Sequence, residues 1–153
     1  VLTKTILASK EARLLLGGAM IGALFVAVVG AQLLNIKPNW TSVVAQWPAF
    51  VTLCLISPVI EEMVFRGYCQ RYLATTAAGR KSWLWISAAN MLTTGLFVLT
   101  HALMRDGMTA LLVLLPSLYL GVIMDRIGRL RLCMLVHALW NLIWFVLVYP
   151  LST

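Results

Sequence analysis

The sequence predicts an all-α, polytopic membrane helix bundle of about five transmembrane helices, and three observations carry that prediction. Apolar residues make up 61% of the 153-residue chain and charged residues only 11%, whereas a soluble domain usually carries about a quarter charged residues. A chain this short has too little interior to bury so much apolar surface away from water. Uncharged stretches also recur at close to the roughly 20 residues that a spanning helix needs. These figures exclude a soluble enzyme, a disordered tail and a nucleic-acid-binding domain.

The elements follow in order. Residues 14–34 form a run of 21 without a charge and predict the first helix. Residues 38–60 are again uncharged, and the second helix occupies most of them before meeting Glu61 and Glu62. Residues 83–104 predict the third helix, with His101 close to its end. Residues 108–124 predict a short fourth helix that Pro116 bends. Residues 132–151 predict the fifth, which carries His137 and Asn141. No internal repeat or long linker divides the chain. It reads as a single transmembrane domain over residues 1–153, with a motif-bearing core at 43–151.

The basic residues assign an orientation. Lys4, Lys10 and Arg13 precede the first helix; Arg71, Arg80 and Lys81 lie between the second and third; Arg126, Arg129 and Arg131 lie between the fourth and fifth. The opposite side holds Lys37 and Arg105. Nine against two, with Arg66 set aside, is a positive-inside pattern that puts the N-terminus in the cytoplasm and the C-terminus outside. The net charge of +7 therefore reports topology and not a polyanionic partner. Trp40, Trp83, Trp85 and Tyr149 fall near predicted helix ends, where aromatic belts form. Cys54, Cys69 and Cys133 lack CxxC spacing and read as free thiols.

Ionisable groups are costly inside a membrane, so those that remain there point to a function. They are Glu61, Glu62, Arg66, His101 and His137, with Asn141 as a polar companion. A bland reading exists for part of the set: Glu62 and Arg66 are four apart and form a structural ion pair, and a lone intramembrane His serves as an interhelical hydrogen-bond partner. The whole set says more. Both histidines of the protein fall in apolar helices, and Asn141 shares a helix face with His137. A carboxylate, two imidazoles and an amide supply a general base, a water-orienting partner and hydrogen-bond donors, the parts needed to add water to a carbonyl. No GxSxG, HExxH or GxGD motif is present, which leaves serine and conventional zinc-protease mechanisms poorly supported.

Three motifs then stand in register: Glu61-Glu62-Met63-Val64-Phe65-Arg66, Phe97-Val98-Leu99-Thr100-His101 and His137-Ala138-Leu139-Trp140-Asn141. Their EExxxR, FxxxH and HxxxN pattern resembles the CPBP family of CAAX prenyl endopeptidases and bacteriocin-processing or immunity proteins, also called Abi. The length is similar to that of compact bacterial members, some of which look like processing enzymes for C-terminal sorting signals of the JDVT-CTERM type.

The resemblance implies an intramembrane endopeptidase in a bacterial inner membrane, cutting near the C-terminus of a membrane-anchored or lipidated protein, with no nucleic-acid partner. It implies that Glu61 and His101 activate water while His137 and Asn141 stabilise the oxyanion, at roughly 3 to 4 kcal/mol per donor. Glu62 and Arg66 become a supporting pair, and Phe65 and Phe97 packing residues that keep the water pocket small. Pro58, one turn before Glu61, frees a backbone carbonyl and bends the second helix. No metal or other cofactor is expected; the alternative is zinc held by Glu61, His101 and His137. A non-catalytic immunity or scaffold protein is the rival function, against which the complete motif set argues. A proton-coupled transporter subunit is a second rival, and the chain lacks the inverted repeat it would need.

One geometric demand follows. With a second helix ending near residue 60, Glu61 would lie at one end of the bundle and His101 toward the other. A second helix that continues through Arg66 and Arg71 to about residue 78 would put both at one depth, each about 30 Å from the Arg80–Lys81 turn.

Overall fold

The computed structural model describes residues 2–33, 45–104 and 107–147. Helix α1 spans Leu2–Leu33 and α2 spans Trp47–Thr75. Helix α3 spans Ala88–Met104. Helix α4 is built from Gly107–Leu112 and Leu114–Ile127, and α5 spans Leu130–Leu147. Five helices are thus present among the described residues, as predicted. Residues 34–44, 105–106 and 148–153 lie outside the described residues; they hold Lys37, Trp40, Arg105 and Tyr149 and parts of the predicted first, second and fifth helices.

Two boundaries and the position of one bend differ from expectation. Helix α1 begins well before the apolar run, because Lys10, Glu11 and Arg13 end a hydrophobic stretch without ending a helix. The third helix starts at Ala88 and not at residue 83. Ser82–Trp83 and Ile86–Ser87 instead pair as the antiparallel strands β1 and β2, around Leu84 at φ 56°. The apolar letters of Trp83, Leu84 and Trp85 mimic a span, but Ser87 starts the helix: its hydroxyl oxygen accepts the Asn90 N–H at 3.0 Å. In α4 the predicted distortion falls at Val113, which has φ −82° and ψ −7°. Pro116 has no N–H and its ring crowds the preceding turn, and Ser117 N–H to Val113 O at 2.9 Å resumes the ladder. Gly128, at φ 68°, closes α4 with its N–H on Met124 O, a left-handed cap that suits glycine.

Helix α2 reaches Thr75, the extension that the placement of Glu61 and His101 demands. Its backbone alternates between two windings. Thr52–Ile56 and Met63–Gln70 are π-helical, and Ser57–Glu62 between them is α-helical. The buried face explains why. Cys54, Pro58, Glu62, Arg66 and Gln70 recur every four residues and are all buried. Four residues overshoot one α-turn of 3.6 and undershoot the wider π-turn. Alternating segments cancel the drift and hold the row on one face.

The distribution of polarity is that of a membrane protein. Glu62, Arg66 and Asn90 are 0% exposed, whereas Leu103 and Leu115 are 80% and 72% exposed. Water would not favour such an arrangement; lipid does. Trp47–Thr75 and Ala110–Ile127 are long and apolar enough to cross a bilayer, and Ala88–Met104 and Leu130–Val146 are shorter apolar helices. The molecule is an all-α membrane bundle.

The chain divides into two compact units, residues 1–60 with 134–153, and Glu61–Cys133. In the second, α2 and α4 run parallel and α3 runs antiparallel to both. Arg66 Nη2 donates to Ser117 O and Oγ, each at 2.8 Å. Gln70 Nε2 donates to Gly121 O at 2.9 Å and to Asp125 Oδ1 at 2.7 Å. Asn90 Nδ2 donates to Leu118 O at 3.0 Å. Ser117 Oγ donates to Thr94 Oγ1 at 3.1 Å, and Thr94 Oγ1 to Asn90 Oδ1 at 3.2 Å. Polar side chains thus stitch three apolar helices together, these donors meeting acceptors that lipid could not provide. In the first unit, Trp140 Nε1 of α5 donates to Ala19 O of α1 at 3.2 Å, and Phe50 of α2 meets Phe145 of α5 edge-on at 5.6 Å. All three cysteines are free thiols.

Candidate active site

The three motifs fall on α2, α3 and α5, and the two units share them. Glu61, Glu62, Phe65, Arg66, Phe97 and His101 belong to Glu61–Cys133, while His137 and Asn141 belong to the other unit.

In the first of these sets Arg66 is the anchor. Its guanidinium is wholly buried, and Nη1 donates to Glu62 Oε1 at 3.1 Å as an i,i+4 ion pair. Nη2 is shared between the two oxygens of Ser117. The guanidinium carbon lies 5.0 Å from the Phe97 ring centroid, where the ring's quadrupole attracts a cation. Glu62 and Arg66 thus form an i,i+4 ion pair, and the partners of Arg66 include Ser117, which carries no motif.

Phe97 joins this anchor to His101. Its ring meets Phe65 edge-on at 4.9 Å and His101 at 4.3 Å, and it is buried. The motif phenylalanines thus pack against each other, and Phe97 also contacts an imidazole. His101 Nδ1 lies 3.0 Å from Phe97 O. A carbonyl only accepts, so that contact puts the proton on Nδ1 and leaves the lone pair of the neutral ring on Nε2. The ring is set to act as a base, a water acceptor or a metal donor through Nε2.

Glu61 and His101 share one level. Helix α2 descends to the hairpin and α3 returns from it, and Phe65 and Phe97 meet across the pair. Glu61 stands four residues before Phe65 and His101 four after Phe97, so each lies one turn further from the hairpin. Both are half-buried. Cysteines placed at 61 and 101, with Cys54, Cys69 and Cys133 replaced by alanine, will couple through a short bis-thiol reagent. No coupling under conditions that modify both single cysteines would refute the shared level.

In the other unit His137 is buried and Asn141 is half-buried. Asn141 Nδ2 donates to Leu53 O at 2.8 Å, and the backbone explains this acceptor. Ser57 N–H bonds Thr52 O in the π-register. The next bond in that register would run from residue 58 to Leu53 O, and Pro58 has no N–H to make it. The carbonyl that Pro58 frees is the one Asn141 takes up. The amide keeps a second N–H for a further acceptor.

Glu61 and His101 Nε2 are also acceptable zinc donors, and the zinc alternative draws its third ligand, His137, from the other unit. Among the described residues of Glu61–Cys133 no three His, Cys, Asp or Glu side chains cluster around a point.

The motifs showed the charged and aromatic members of the site but missed Ser117, Thr94, Asn90 and Gln70. These uncharged residues make no spacing pattern of their own. The signal that could have found them is the four-residue row on α2 facing Ser117, Gly121 and Asp125, a second four-residue row on α4.

Comparison with known proteins adds one match. The family model described as Type II CAAX prenyl endopeptidase Rce1-like matches residues 42–143, well over half of the chain and all three motifs. No curated protein and no solved structure matches.

Proposed function

The chain belongs to the type II CAAX prenyl endopeptidase Rce1-like family, a family of CAAX-type intramembrane proteases whose substrates are membrane-associated proteins, and from that membership we propose how this member works. It is a glutamic intramembrane endopeptidase of a bacterial inner membrane, with its N-terminus in the cytoplasm. It hydrolyses a peptide bond near the C-terminus of a membrane-anchored or lipidated protein.

Glu61 takes a proton from a water held against His101 Nε2. The water oxygen adds to the scissile carbonyl carbon, and the carbonyl oxygen becomes an oxyanion. His137 and the second N–H of Asn141 stabilise it as hydrogen-bond donors. Collapse of the adduct breaks the C–N bond, and the proton held by Glu61 passes to the leaving amine. Glu62 and Arg66 hold the helix turn that carries Glu61. No metal takes part.

The observation that supports this most is the common level of Glu61 and His101, with the His101 ring tethered by Nδ1 so that Nε2 is presented. Intact mass of a prenylated peptide and of a membrane protein with a C-terminal sorting segment, before and after incubation with purified protein, tests it. One of them loses its C-terminal fragment. Glu61→Gln slows that loss by about 100-fold to 10,000-fold while the protein stays folded, and a chelator leaves it unchanged. Undiminished cleavage by Glu61→Gln overturns the assignment. Loss with a chelator and rescue by zinc would transfer the water to a metal.

A further inference from the structure

The loop between α2 and α3 carries a cationic cavity that cleavage does not use. It is an open depression of about 290 Å³ lined by Arg80, Ser82, Trp85, Ser87, Asp125 and Arg126, among others. The cavity is built, and glycine permits it. A Cβ on buried Gly79 would collide with Leu73 O, so only glycine lets the chain fold back here. Gly79 O and Lys81 O then accept the N–H groups of Ala89 and Ala88. Those bonds close the first turn of α3, and the arginines are the cavity's charged donors.

The two arginines keep most of their hydrogen-bonding capacity. Arg80 Nη1 donates to Thr75 O, and the Arg126 guanidinium sits 5.3 Å from the Trp85 ring centroid. Asp125 does not neutralise them directly. Its Oδ1 accepts from Gln70 and its Oδ2 from Ser87, each at 2.7 Å. Beside the cavity Trp83, Leu84 and Trp85 are 72%, 75% and 72% exposed. Arg71, Lys81, Arg129 and Arg131 of the same unit are exposed as well. The hairpin follows the end of a spanning helix, where a bilayer changes from acyl chain to headgroup.

We propose that this cavity binds the phosphodiester headgroup of an anionic phospholipid. Arg80 and Arg126 hold the phosphate oxygens through their forked donors. Trp83, Leu84 and Trp85 lie in the interfacial layer beside the acyl chains, the depth that tryptophan prefers. A substrate's terminal carboxylate fits less well. His101 stands 14 residues along α3 from Ser87, about 21 Å of helix, which only a tail of about six or more extended residues would span. The lipid site is independent of the cleavage reading.

Native mass spectrometry of the detergent-solubilised protein tests it with phosphatidylglycerol and phosphatidylcholine of equal chain length. Phosphatidylglycerol adducts form at about tenfold lower lipid concentration. Arg80→Ala/Arg126→Ala removes that preference, whereas Arg129→Ala/Arg131→Ala, which deletes the same charge, keeps it. Millimolar glycerol 3-phosphate does not displace the lipid. Equal binding of the two lipids overturns the proposal, and so does equal loss in both double variants. Displacement by glycerol phosphate would reassign the cavity to a small soluble phosphate. A second measurement needs no arginine variant: in bilayers, brominated phosphatidylglycerol quenches tryptophan emission more than brominated phosphatidylcholine does, and Trp83→Phe/Trp85→Phe abolishes the difference. Equal quenching of the unaltered protein also sinks the proposal.

Discussion

Arg66→Met will destabilise the protein by about 3–5 kcal/mol, the cost of breaking a buried ion pair and leaving its other charge in place. Glu62 and Arg66 are both 0% exposed, so neither water nor lipid headgroups replace the lost partner. The substitution also removes the donor shared by Ser117 O and Oγ, and with it a link between α2 and α4. Methionine keeps the apolar stem, so little of the loss comes from packing. Adding Glu62→Gln removes the remaining buried charge and restores a large part of the stability, a coupling that a double-mutant cycle reads directly. Thermal midpoints in detergent, followed by tryptophan emission, measure all three variants. A loss below about 1 kcal/mol in Arg66→Met would place the pair among the weak, solvated kind.

That pair also shows how much of the molecule its sequence exposes. In so apolar a chain every charge is conspicuous, so Glu61, Glu62 and Arg66 stood out at once. The antiparallel pairing of α2 with α3 was derivable from the depth that Glu61 and His101 must share, and it required the longer α2 that the structure has. What could not be read was of two kinds. Trp83, Leu84 and Trp85 are hydrophobic because they meet an interface and not because they span a bilayer, so a hairpin passed for the start of a helix. The network of Gln70, Asn90, Thr94 and Ser117 depends on partners 23 to 55 positions away for its longest links. Periodicity reports which face of a helix is buried, and it is silent on which neighbour buries it. The π-helical segments follow the same rule. A buried row at every fourth residue was present in the letters, but only its packing partner makes the backbone widen to keep it aligned.

Gly121→Ala will be nearly as damaging, through a single methyl group. A Cβ at this buried position would overlap the side-chain amide of Asn90. The amide has no room to yield cheaply, because Asn90 is itself 0% exposed. Moving it breaks the bond from Nδ2 to Leu118 O and the one Oδ1 accepts from Thr94. Overpacking of this kind costs about 1–3 kcal/mol, and each buried polar group left without a partner adds about 1–3 kcal/mol. The effect extends beyond position 121. Thr94 accepts from Ser117, whose oxygens hold Arg66, so the displaced amide loosens the residue that anchors the Glu61 turn. Reduced cleavage therefore accompanies reduced stability. The origin of the damage is separable, because Asn90→Ala removes the colliding atoms at the cost of its own two bonds. Asn90→Ala/Gly121→Ala will then be more stable than the sum of the single losses predicts, by about 1 kcal/mol or more. Strict additivity in the thermal midpoints would mean that α3 and α4 part at this crossing without engaging Asn90, and the close approach of glycine to asparagine would lose its structural meaning.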